Sequence, residues 1–161
     1  MNATAREPKA ADVAAALMPA VDTLLLATVF AQVERERVDV IQRRLLGSGR
    51  YGGNGEPKDA WHQLTEEAAA RYYDDCDKAQ AEAGYKLDPG YCPALIAEHD
   101  KIKAEWALIE AAAEFFPGVT NDRLLCGVKG KGGLETREEF LNLCIGLVVN
   151  LPGYTSPLER L

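Results

Sequence analysis

The sequence predicts an all-α fold, a helical bundle of four main helices joined by short helices and glycine-rich loops. Three observations carry this expectation. Apolar residues recur at three- and four-residue steps along several long segments. Capping and stop residues bound those segments, and strand-type alternation is confined to a few residues around Val119 and Val128. No repeat of fixed period appears, so a solenoid is not expected.

The first helix is expected after Pro19 and up to Leu46, where Leu24, Ala27, Ala31, Val38, Ile41 and Leu45 form one apolar stripe. About twelve residues at the N-terminus are expected to be flexible. In the second half of this helix, charges interleave with valines, giving one wet face. In the first half Leu25, Leu26, Val29 and Phe30 widen the apolar surface all round, which implies deep burial or a second subunit. Gly47 to Pro57 holds five glycines and a proline and reads as a loop.

A second helix is expected from about Lys58, with Thr65 capping TEEAAARYYDDCDKAQAEA, Glu66 and Glu67 in its first turn, and Gly84 at its end. A third follows from Pro93, a residue suited to a first helical position. Leu95, Ile102, Trp106, Ile109, Ala113 and Phe116 mark its apolar face, and Pro117 and Gly118 stop it. TNDRLLCG, from Thr120, reads as a short helix and VKGKGG as a loop. The last helix is expected from Thr136, which with Glu139 forms a capping box, through FLNLCIGLVVN to Pro152; Gly146 alone weakens it.

A chain of 161 residues suits a single helical domain over 1–161 and needs no disulfide staple. Cys76, Cys92, Cys126 and Cys144 are widely spaced, with no Cys-x-x-Cys pair and no histidine at zinc-finger spacing, so they read as reduced and mostly buried thiols. The net charge of −7 argues against a grip on a nucleic-acid backbone and is too modest for a mimic of DNA. The N-terminal residues lack the pattern of a secretory leader, and the longest apolar run, Thr23 to Ala31, is short for a membrane span. A cytoplasmic location without membrane contact is the expectation.

Several constellations offer chemistry. Asp74, Asp75 and Asp77 share a helix with Glu66, Glu67 and Glu82, but the three-residue carboxylate repeat of metal-binding helical hydrolases is missing, so a solvated acidic face is expected. Glu98, His99 and Asp100 diverge by about a hundred degrees per residue around a helix and are not a preformed acid–base set. His62 stands four residues before Glu66 and suits a helix-surface pair. The two glycine-rich loops carry Arg50, Lys129 and Lys131, which can cradle an anion, though Gly132 stands where a Walker loop needs Ser or Thr. Tyr72, Tyr73, Tyr85, Tyr91 and Trp61 supply aromatic surface for packing or an interface. No catalytic residue, metal ligand or cofactor is assigned.

Ala83 to Thr120, AGYKLDPGYCPALIAEHDKIKAEWALIEAAAEFFPGVT, together with the ending VVNLPGYTSPL, resembles segments of small uncharacterised proteins encoded by tailed bacteriophages and prophages. The resemblance covers about a third of the chain and brings no catalytic motif. It implies a bacterial host cytoplasm and an accessory role, such as blocking or redirecting a host protein.

The leading expectation is therefore a non-enzymatic accessory protein that binds a host or phage protein, with inhibition of host defence as one form of that role. Leu25, Val29, Phe30, Tyr72 and Tyr73 are the candidate interface residues, and a homodimer seam along Leu24 to Phe30 is one version of it. A protein that sequesters a nucleotide-like anion through Arg50, Lys129 and Lys131 is the alternative. A metal-dependent helical hydrolase, resting on the acidic second helix and Glu98, is a further one.

Overall fold

The computed structural model describes residues 9–46, 66–85, 92–117 and 137–161. They form an all-α helical bundle with four helices, α1 (Ala10–Leu46), α2 (Glu66–Ala83), α3 (Pro93–Ala113) and α4 (Arg137–Val149), and no strand among the described residues. Thr65 and Thr136, the short helix from Thr120 and both glycine-rich loops lie outside the described residues.

The first helix ends at Leu46 as expected, but its start differs. α1 begins at Ala10, so Ala10 to Asp12 are helical rather than flexible, and Pro19 lies inside it. A mid-helix proline removes one backbone hydrogen bond and costs about 3 kcal/mol. Burial offsets that cost. Val13, Ala14 and Leu17, all N-terminal to Pro19, are buried in the core, and full burial of one leucine alone is worth about 1.5–3 kcal/mol. The carbonyl of Lys9 accepts from the amides of Asp12 and Val13 and starts the helix.

The stop signals act as the sequence predicts. After α2, Gly84 takes φ +89, and the amides of Gly84 and Tyr85 donate to the carbonyls of Ala81 and Gln80 at 3.1 and 3.0 Å. This is a Schellman cap, in which a glycine in the left-handed region frees two amides to satisfy terminal carbonyls. After α3, the amides of Phe115 and Phe116 fold back onto the carbonyl of Ala112 ahead of Pro117.

The chain divides into two compact units, Met1–Thr28 with Asp100–Leu161, and Val29–His99. In the first, Leu17, Val21 and Leu24 of α1 pack with Ala104, Leu108, Ile109 and Ala112 of α3 and with Phe140, Cys144 and Val148 of α4. Phe116 meets Phe140 edge to face at 5.5 Å. The second has a smaller core of Val38, Ile41, Ala79 and Ala83, flanked by Leu45, Tyr72, Cys76 and Ala94. Ion pairs supplement it, Arg44 with Glu82 and Arg35 with Glu98, and Arg37 donates to the carbonyl of Ala83 at 2.9 Å.

The apolar face expected of α3 is buried in part: Ile109 lies in the core, and Trp106 and Phe116 pack against it. Leu95 and Ile102 are exposed, Ala113 is also exposed, and Ala104, Leu108, Ile109 and Ala112 are buried. Alanines let a neighbouring helix approach closely, so the Ala104–Leu108–Ala112 row packs beside Ile109, and Leu95, Ile102 and Ala113 fall outside the contact.

α1 is, by length and composition, long and apolar enough to cross a membrane, with a window of mean hydropathy 1.9 of which 28% is buried. The uninterrupted run from Thr23 to Ala31 understates it, because single polar residues such as Asp22 break a run without removing the average.

Candidate functional site

The predicted interface residues separate into two groups. Leu25 is half-buried and packs on the larger core, and Tyr72 is half-buried against the smaller one. Val29 is half-buried, whereas Phe30 and Tyr73 are 59% and 56% exposed. Tyr73 meets Tyr72 edge to face at 6.0 Å. Beyond Phe30 the same helix exposes Val33 and Val40, neither of which the sequence reading singled out. Phe30, Val33 and Val40 are separated by three and seven residues, so they share one side of α1.

Arg50, Lys129 and Lys131 lie outside the described residues, as do His62, Trp61, Tyr91 and Cys126. Within α2, Asp74 pairs with Lys78, Glu82 pairs with Arg44, and Asp75 is buried. Glu98 pairs with Arg35 at 2.9 Å while His99 is exposed. Among the described residues no group of three or more His, Cys, Asp or Glu could hold a metal ion.

At the start of α3 the thiol of Cys92 is fully buried. Burial opposes its ionisation, yet the Leu95 amide, the Tyr85 hydroxyl, the Ala94 amide and the Arg37 guanidinium together lower its pKa. The hydroxyl of Tyr85 donates to that sulfur, and this bond is the main cause of its own raised pKa. The helix N-terminus supplies the two amides, as such termini do for anionic atoms.

Within the first unit a cleft of about 560 Å³ opens between α1, α3 and α4. Leu24, Leu141 and Ile145 form its apolar lining, and Lys101, Glu105, Arg137 and Glu138 its charged lining. Arg137 bonds Glu105 at 2.5 Å and holds its guanidinium carbon 4.6 Å from the centre of the Trp106 ring. The two side chains are only 23% and 18% exposed, so their attraction is screened less than that of a surface pair. The Nε of Arg137 is buried without a hydrogen-bond partner. Sequence reasoning missed this site, because Glu105 and Arg137 stand 32 residues apart and no local motif links them.

The chain matches no protein-family model, no curated protein and no solved structure.

Proposed function

We propose that this protein acts by binding another protein, without catalysis, as an accessory factor in a bacterial host cytoplasm. The exposed row of Phe30, Val33 and Val40 carries the reading. Scattered single apolar residues are ordinary on a surface, but three large ones aligned on a single helix are the form in which helices present anchors to a partner. The resemblance to phage-encoded segments supplies the setting, and a host or phage protein is the partner. Three of the carboxylates that invite a hydrolytic reading, Asp74, Glu82 and Glu98, are engaged in ion pairs, which favours the binding role.

The test compares tagged wild type with Phe30→Asp and Val40→Asp in bacterial lysate, using native mass spectrometry of the eluates and circular dichroism of each protein. The expected result is a stoichiometric partner retained by wild type and lost by both variants at unchanged helicity. A partner of the chain's own mass would identify the homodimer. Equal eluates from all three proteins, or recovery of wild type with the membrane fraction, would overturn the proposal.

A further inference from the structure

The cleft beside Arg137 is a second feature, independent of the exposed row on α1. Its volume, about 560 Å³, falls within the range of small-molecule sites, roughly 300–1,000 Å³. Its chemistry is amphipathic. Leu24, Leu141 and Ile145 supply an apolar wall, while two cations, Lys101 and Arg137, and two anions, Glu105 and Glu138, line the rest.

We infer that this cleft binds a small zwitterion with an apolar body, of the size and chemistry of an apolar dipeptide. Charge balance selects that class. A simple anion drawn to Lys101 and Arg137 would also face Glu105 and Glu138, and a simple cation would meet the opposite conflict. A molecule carrying both an ammonium and a carboxylate meets an opposite charge at each end. Its apolar side chains then cover Leu24, Leu141 and Ile145 and displace water from them.

The state of Arg137 points the same way. The guanidinium is held in place from two sides, by Glu105 at 2.5 Å and by the Trp106 ring at 4.6 Å, so it is preorganised. Its Nε is the one buried side-chain nitrogen or oxygen among the described residues that lacks a hydrogen-bond partner. Arginine's planar fork is built for carboxylates, so Arg137 supplies the carboxylate-binding end of the cleft. Because Trp106 lies against the same guanidinium, binding should also change the fluorescence of the chain.

The test is calorimetric titration of the full chain with leucyl-leucine, followed in parallel by tryptophan emission. The control ligand is the same dipeptide acetylated at its N-terminus and amidated at its C-terminus. Saturable binding of the free dipeptide, at least tenfold tighter than the doubly capped one, is expected. Glu138→Gln, at an exposed position on the rim, should weaken it about tenfold, and Asn142→Trp should block the cleft; circular dichroism confirms that both variants remain folded. No heat and no emission change at millimolar dipeptide would overturn the inference. Equal affinity for free and capped dipeptide would also overturn it, as would binding unaffected by both substitutions.

Discussion

The hydroxyl of Tyr154 donates a 2.7 Å hydrogen bond to the carboxylate of Asp22, joining the C-terminal segment to the first helix across 132 positions of sequence. The other oxygen of Asp22 accepts from Arg160 at 2.7 Å. Asp22 thus has a partner for each oxygen, which explains how an acidic residue is tolerated on the most apolar stretch of α1. Tyr154→Phe removes one bond to a charged acceptor and should cost about 1.5–3 kcal/mol. Arg160 is half exposed, so Arg160→Ala should cost less than about 1 kcal/mol. Urea unfolding of the two variants checks the order, and a larger loss for Arg160→Ala would contradict it.

Gly146 occupies an interior position of α4 without a steric reason for being glycine. A Cβ built there meets nothing closer than the Asn150 amide nitrogen at 4.0 Å, and its φ is not positive. Gly146→Ala should stabilise the chain by about 1 kcal/mol and raise the Tm by about 2–4 °C. Gly84 is the contrasting case, with φ +89 and a would-be Cβ 3.2 Å from Pro93. Gly84→Ala should destabilise by about 1–2 kcal/mol, because a side chain is strained in the left-handed region. Thermal unfolding of the pair reads both signs.

The thiols should react in an order set by burial rather than by acidity. Cys76 is half-buried, whereas Cys92 and Cys144 are fully buried, and all three are free. Under native conditions an alkylating reagent should modify Cys76 before Cys92, despite the lowered pKa of Cys92. In denaturant both buried thiols should react as ordinary ones. Mass spectrometry of timed, quenched samples gives the order directly, and native modification of Cys92 ahead of Cys76 would show that its burial is transient.

Alkali should weaken the fold. Burial pushes the Cys144 thiol up to about 11 from an ordinary 9.0. Burial, followed by the bond to Asp22, pushes Tyr154 up to about 12 from 10.0. Both folded-state values are raised, so the folded chain keeps protons that the unfolded chain releases. The associated stability is complete below the ordinary values and is lost as pH rises from about 9 through 12. The midpoint of urea unfolding should therefore fall over that range. Tyr154→Phe, which lacks the titrating hydroxyl, should show a shallower fall at its upper end.

Local signals in the sequence determined the helices. Pro93 at the start of α3, Gly84 after α2 and Pro152 beyond α4 act within one or two turns of themselves, so they could be read without knowing the fold. The stripe of Leu24, Ala31, Val38 and Ile41 was equally legible, because periodicity is a property of one helix. Tertiary packing decided the rest. It carried α1 back through Pro19 to bury Leu17, turned α3 onto Ala104 and Leu108 while leaving Leu95 and Ile102 exposed, and fixed Leu25 against the core while leaving Phe30 outside. It also brought Arg137 to Glu105 and Trp106, and Tyr154 to Asp22. Such pairings depend on how separate helices approach one another, and helix periodicity in a single sequence specifies the faces available but not which of them meet.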